Sequence, residues 1–394
     1  MQDGLVQDDV ILVTACRGRR VGGVSSRSIR YRRALCLDTI TMNDDRDKAA
    51  HPVDIPAPEV PRQEVRIEQH GETRVDPYAW LRDDNWQALL ADPSQLRAEI
   101  RAQLEAENAY YESVTAQLGG LRERLFAEMR GRIREDDSSV PAVDGPWAYY
   151  IRYRAGGEYP VFCRRPASGG DEQLLFDGDR EREAAGSAFF DVAGVEHSPD
   201  HRYIAFGLDT VGSEYFTLRV RDLERGVELG ERVERTGGKA VWAADSASFF
   251  YVERDRHQRP RRVRRHALGD DPANDPLVYE EPDPGFFVDV DKSQSGEYLF
   301  ITSSNHVCSE VRYVPAWRPE AEPALIAPRQ GEELYAAEHR GDHFYLHTNA
   351  GGATDFKIVR APVDSPGREH WQDWLGHEPG TFVEDFVPLR DYLV

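Results

Sequence analysis

Ser198-Pro-Asp-His-Arg-Tyr-Ile-Ala-Phe-Gly-Leu-Asp209, running on to Tyr215-Phe-Thr-Leu-Arg-Val-Arg-Asp-Leu223, is the stretch whose reading decides the fold. Pro199 presets φ for the first corner of a β-turn, and Asp200 is placed to hydrogen-bond its own backbone. Tyr203-Ile-Ala-Phe206 reads as a strand, a break carries Asp209, Gly212 and Ser213, and Phe216-Thr-Leu-Arg-Val220 alternates as the next strand. A strand, turn and strand of this size cannot bury its apolar face alone.

The figure recurs. Asp144-Gly-Pro-Trp-Ala-Tyr-Tyr-Ile151, Asp245-Ser-Ala-Ser-Phe-Phe-Tyr-Val252, Ser295-Gly-Glu-Tyr-Leu-Phe-Ile301 and Arg340-Gly-Asp-His-Phe-Tyr-Leu346 each set a small turn before an aromatic-rich strand. The turn markers 144, 200, 245, 295 and 341 are 56, 45, 50 and 46 residues apart. A repeat of roughly 40–50 residues made only of short strands predicts a β-propeller with one four-stranded blade per repeat. An all-β sandwich with evenly spaced hairpins is the competing reading, and the near-fixed period favours the propeller.

The chain of 394 residues is too long for one ordinary core, which predicts two regions or one large repeat array. No apolar run approaches the roughly 20 residues of a membrane-spanning helix, so no membrane partner is expected. A net charge of −21 argues against nucleic acid as a general partner and favours cationic ligands by long-range steering. Cys16, Cys36, Cys163 and Cys308 form no close pair, signalling neither a disulfide framework nor a zinc site. A reducing, cytoplasmic setting is expected.

Taken in order, residues 1–41 carry seven arginines against four acids and read as a disordered basic extension, or as sequence upstream of a true start at Met42. Val10-Ile-Leu-Val13 is too short for a signal-peptide core, and its positive residues follow it. Residues 42–135 read as an extended and helical arm. Its Pro-rich lead-in to residue 75 is followed by Val75-Asp-Pro-Tyr-Ala-Trp-Leu-Arg-Asp-Asp-Asn-Trp86, whose aromatics can anchor the segment on another surface. Ser94 is the expected cap of a helix with Leu96, Ile100, Leu104 and Ala106 on one face. A break at Gly119-Gly120 precedes a second helix carrying Leu121, Leu125, Met129 and Ile133. Residues 136–394 then supply about five blades and the start of a sixth. An array halted there leaves an open strand edge, so the chain is expected to be a fragment.

The chemistry sought is mostly missing. There is no G-x-S-x-G and no H-E-x-x-H. Thr236-Gly-Gly-Lys-Ala240 lacks both the first glycine of a phosphate loop and its Ser/Thr. His339, His343 and His347 would line up as metal ligands on a helix, but the surrounding text is turn and strand. There His343 and His347 stand roughly 13 Å apart, and solvated histidines are expected. The arginine-rich run Arg256–His266 is expected to be a solvated strand pair offset by carboxylates. No catalytic, cofactor-binding or metal-binding residue is nominated, and no cofactor is expected.

With these residues laid out, the chain resembles the N-terminal part of the prolyl oligopeptidase family of serine peptidases, of the oligopeptidase B type. The resemblance rests on Asp76-Pro77-Tyr78-Ala79-Trp80-Leu81-Arg82-Asp83 and on Ser198-Pro-Asp through Asp209-Thr-Val-Gly-Ser-Glu-Tyr-Phe-Thr-Leu-Arg-Val220. It extends to Val241-Trp-Ala-Ala-Asp245, Phe249-Phe-Tyr-Val252, Arg259-Pro-Arg-Arg-Val263 and Tyr279-Glu-Glu-Pro-Asp-Pro-Gly-Phe-Phe287. It covers roughly residues 55–394. The implied fold class is mainly β: an incomplete seven-bladed-type β-propeller, preceded by an α-helical N-terminal arm that would pack on an absent α/β-hydrolase domain.

The resemblance also implies a function, serine-type endopeptidase activity on short basic peptides, cut after Arg or Lys, with the propeller gating the catalytic chamber. A serine activated by histidine, itself oriented by aspartate, would carry the acyl transfer. None of those residues can be placed on this sequence, so this chain alone is expected to be inactive. The alternative is a stand-alone propeller that binds peptides or proteins without catalysis. A propeller with its own catalytic carboxylates, as in a glycosidase, has no supporting feature here.

Overall fold

The computed structural model describes residues 56–394. The expectations for residues 1–41 and for a start at Met42 lie outside the described residues. Backbone contacts divide the chain into two compact units, whose described residues meet between Arg134 and Glu135.

The smaller unit opens with a hairpin, Val65–Gln69 against Glu72–Asp76, where an extended lead-in was expected. His70 and Gly71 at its tip both take positive φ, which closes a two-residue loop with the twist a hairpin needs. The Asp-Pro-Tyr-x-Trp motif follows. The Asp76 carboxylate accepts from the Tyr78 amide at 2.9 Å, a turn leads into a short 3₁₀ segment, and buried Trp80 donates from Nε1 to the Pro61 carbonyl at 2.8 Å. Arg97 donates to the Trp80 and Arg82 carbonyls, pinning the motif from behind.

Helices occupy Trp86–Ala91, Ala98–Thr115 and Gly119–Gly131. Two local expectations are corrected. Ser94 does not cap the long helix: it lies in a 3₁₀ turn capped by Asp92, and the helix starts after Arg97 without a side-chain cap. The glycine pair does not break the chain either. The backbone tightens to 3₁₀ over Ala116–Leu118, and Gly119 and Gly120 open the next helix in ordinary helical geometry. Glycine permits a break but does not impose one.

The larger unit is a run of five four-stranded antiparallel blades. Blade 1 spans 142–177, blade 4 spans 287–327 and blade 5 spans 335–375. Blades 2 and 3 form one eight-stranded sheet because a single strand, Val233–Trp242, serves both. Its start pairs with Phe216–Asp222 of blade 2, and its remainder pairs with Ser248–Arg254 of blade 3. Arg235 and Gly238, both at positive φ, mark the bend between the two roles.

Each blade's first turn repeats one device. A residue in the left-handed region sits at Gly145, His201, Ser246, Gly296 and Gly341. At the deciding stretch, the His201 amide donates to the Ser198 carbonyl at 2.8 Å across Pro199-Asp200, and the Asp200 carboxylate accepts from the Arg202 amide at 3.1 Å. Asp209 also proves structural: its buried carboxylate gathers the amides of Val211, Gly212 and Glu214 at 2.7–3.0 Å.

The core is layered between neighbouring blades. Phe176, Ile204 and Phe206 fill the space between blades 1 and 2, and Leu218, Trp242 and Phe249 that between blades 2 and 3. Val263, Leu299 and Ile301 join blades 3 and 4, and Phe300, Phe344 and Leu346 join blades 4 and 5. Each fully buried aromatic or aliphatic side chain contributes about 2 kcal/mol through burial, so the blades hold one another rather than standing alone. Beyond blade 5, Phe386 and Leu393 lie against Tyr345 and Ile358.

Candidate functional site

The first strands of the blades put charged side chains on a common inner wall. Along Phe287–Lys292, Val288 and Val290 point into the core while Asp289 and Asp291 point away from it. The same alternation places Glu196 on blade 2, Lys239 on blade 3 and Glu338 on blade 5. Asp144 of blade 1 acts electrostatically on Lys292 of blade 4, which shows how far the strands curve toward one axis.

Electrostatics define this wall. Burial pushes the Glu196 carboxyl above its ordinary range, although Lys239 and Lys292 work against that rise. Burial also raises Glu338, against backbone donors at Gln294 and His339. Asp289 remains accessible to water, yet surrounding protein and the neighbouring Asp291 charge raise it as well. Lys239 is favoured in its charged form: burial opposes the charge, but its hydrogen bond to Asp291 and the nearby carboxylates outweigh it. Lys292 goes the other way, lowered by burial. The wall is therefore carboxylate-rich, partly desolvated and only partly neutralised, an arrangement that attracts cationic groups.

The segments singled out from sequence turn out to be structural. Thr236-Gly-Gly-Lys-Ala240 is the bend of the strand shared by blades 2 and 3, and only Lys239 of that segment reaches the wall. The histidine series is divided between strands Tyr335–Arg340 and His343–Thr348. Contrary to expectation, these histidines are not all solvated. His339 is buried with Nδ1 2.8 Å from the Ser295 hydroxyl. His347 is half-buried, stacked on Phe356, and its Nε2 donates to the Val383 carbonyl at 2.7 Å. Burial of His339 follows from the blade interface, where its ring packs on Tyr298 and Phe344.

The arginine run is offset by carboxylates as expected, with Arg262 on Glu280 and Arg264 on Glu253. Its last member, His266, is instead fully buried against Asp275 at 2.8 Å. The inner wall itself was missed. Its signal was the Val-Asp-Val-Asp alternation at 288–291, legible only once that strand is known to be innermost.

The match to known proteins follows the same boundaries. Residues 58–394 match the model of the prolyl oligopeptidase N-terminal β-propeller domain, and the chain belongs to the prolyl oligopeptidase family of serine peptidases. It is 37% identical over 334 residues to dipeptidyl aminopeptidase BI of Pseudoxanthomonas mexicana, covering 80% of this chain and 44% of that protein. Protease 2 of Moraxella lacunata is 29% identical, covering 83% of this chain and 46% of that one. Among solved structures, oligopeptidase B from Leishmania major superposes with a TM-score of 0.74 at 28% identity, over 84% of this chain and 48% of that one. The chain spans about half the length of the relatives it matches.

Proposed function

We propose that this chain is the propeller part of an oligopeptidase B-like serine peptidase, and that its inner wall is the gate for short basic peptides cut after Arg or Lys. The observation that carries this reading is the convergence of Glu196, Asp289, Asp291 and Glu338 from three blades on one partly desolvated wall. A guanidinium or ammonium group entering there exchanges water for carboxylates, whereas an acidic or bulky folded chain is repelled or excluded. The hydrolysis belongs to a catalytic α/β-hydrolase domain. The exposed apolar residues of the Gly119–Gly131 helix, among them Leu121, Leu125, Phe126 and Met129, fit a surface of that kind.

The test has two arms. The 394-residue chain is expected to give no turnover of an arginyl ester, and any turnover that survives purification overturns that part. A fluorescent Arg-containing tetrapeptide is expected to bind this chain, to weaken with rising salt, and to weaken further in the Glu196→Gln, Glu338→Gln double variant. Unchanged binding in that variant overturns the gate.

One observation favours the alternative of a stand-alone binding scaffold: Phe386 and Leu393 pack on Tyr345 and Ile358 of blade 5. Monodisperse, cooperative melting of this chain supports the scaffold, and aggregation on purification counts against it.

A further inference from the structure

Between blades 1 and 2, outside the carboxylates assigned to the gate, two imidazoles and a carboxylate meet. Asp144, His197 and His201 each offer one ligand atom, and those atoms lie within 4.8 Å of one another. Asp144 belongs to the first turn of blade 1, and His197 and His201 flank the first turn of blade 2, so the group bridges the two blades. We infer that Asp144, His197 and His201 form a site for a borderline divalent transition ion, of which zinc is the representative, cross-linking blades 1 and 2.

Three features support a built site rather than chance proximity. His201 is held with its ring fixed: Nδ1 is 2.8 Å from the Tyr149 hydroxyl, which leaves Nε2 for a ligand. A hydrogen bond on one imidazole nitrogen is the usual way a protein orients the other toward a metal. Tyr149 also stacks on His197 at 3.8 Å and 8°, fixing the second ring. Finally, the space beside His201 Nε2 exists because residue 145 is glycine. A β-carbon there would lie 2.7 Å from that nitrogen.

The geometry needs only a small adjustment. Donor atoms around a tetrahedral ion with bonds near 2.0–2.1 Å stand about 3.4 Å apart. His197 Nε2 and Asp144 Oδ2 are now 2.8 Å apart, sharing a proton that the ion would replace. Two cations stand nearby. Arg164 donates to the His201 carbonyl at 2.5 Å and Lys292 lies close enough to act on His197. Those cations oppose any divalent ion, and it is the donor set, two imidazoles with a single carboxylate, that suits ions bound through nitrogen and disfavours calcium or magnesium, which need several oxygens.

The test is titration of the purified full chain with Zn²⁺ by calorimetry and with Co²⁺ by visible absorption. One equivalent is expected to bind, raising the melting temperature, with tetrahedral or five-coordinate cobalt bands and no thiolate charge-transfer band. His197→Ala and His201→Asn are each expected to abolish this binding, asparagine being chosen because it tolerates the left-handed backbone. Tyr149→Phe is expected to weaken it about 10- to 100-fold, and His343→Ala to leave it intact. Absence of stoichiometric binding by the parent chain, or its survival in folded His201→Asn, overturns the site.

Discussion

The carbonyl oxygen of Gly238 lies 2.4 Å from the point where Gly207 would carry a β-carbon, and the Gly238 α-carbon lies 2.6 Å from it. These two glycines let the middle strand of blade 2 pass against the bend that begins blade 3. Atoms of a rigid backbone, unlike the end of a flexible side chain, have nowhere to retreat. Gly238, within the Thr236–Ala240 segment that lacks the marks of a phosphate loop, thus serves close strand approach.

Gly207→Ala is therefore expected to destabilise the propeller by about 1–3 kcal/mol. Gly237→Ala, where a β-carbon meets nothing nearer than 3.9 Å and φ is not positive, is the internal control. Thermal melts of the two variants check this, and equal melting temperatures would refute the close-approach reading.

Glu281 is fully buried and accepts from Ser303, from Tyr279 at 2.8 Å, from Arg329 at 3.0 Å and from the Asp283 amide at 2.9 Å. Burial works to raise its carboxyl, but these donors outweigh it and hold the group below the ordinary range. Glu281→Ala leaves Arg329 with only the longer contact of its Nε to Glu310 at 3.7 Å and strips the buried donors of their acceptor, at an expected cost of about 3–5 kcal/mol. Urea unfolding at neutral pH reads that loss directly.

In blade 1, Arg152 forks onto Glu172 at 2.8 and 3.0 Å, Tyr150 adds a hydrogen bond at 2.7 Å, and the Glu172 carboxyl is held at about 2, chiefly by Arg152. A depressed carboxyl contributes stability above its unfolded value near 4.5 that is lost as pH falls toward the folded value. The pair is about a third exposed, so screening reduces its contribution to about 1 kcal/mol. Glu172→Gln should lose that amount at pH 7 and show a shallower acid limb between pH 4.5 and 2.

Glu196 and Glu338 carry the opposite sign. Their carboxyls are raised, chiefly by burial, so ionisation favours the unfolded chain once pH exceeds the ordinary carboxylate range. Glu338→Gln is expected to raise stability at pH 7 by about 0.5–1 kcal/mol, and Glu196→Gln, whose side chain is solvent-exposed and screened, to raise it by less. The gain should vanish as pH falls to 4. Melts taken across that range check it, and a stability gain unchanged at pH 4 would show that charge is not its origin.

The Gly119–Gly131 helix buries none of its residues, and Phe126 and Met129 are each 64% exposed. Its amides are expected to exchange with solvent far faster than those of the blade strands. Phe126→Ser should shift the melting temperature of this chain negligibly, whereas Ile100→Ser, at a buried site, should destabilise the arm.

Much of the blade architecture was legible because its causes are local. Asp200 and Asp245 shape turns through amides two or three residues away, and Phe216, Leu218 and Val220 alternate inward within one strand. Where local rules left a choice, sequence reading erred. Ser94 and Asp92 are both competent caps, and Gly119-Gly120 is compatible with either a break or a helix.

By itself the sequence determined the strands, their turns and their period, since each depends on contacts within about ten residues. Only the tertiary structure decided which charges share a wall. Glu196, Lys239, Asp291 and Glu338 are unremarkable polar positions on separate strands until stacking of the blades curves those strands toward one axis. The same curvature brings Asp144 to His197 across 53 residues of chain. Electrostatic interaction depends on distance in space, and that distance is set by the packing of Phe176, Phe206, Trp242 and Phe300 between blades, not by any spacing along the chain.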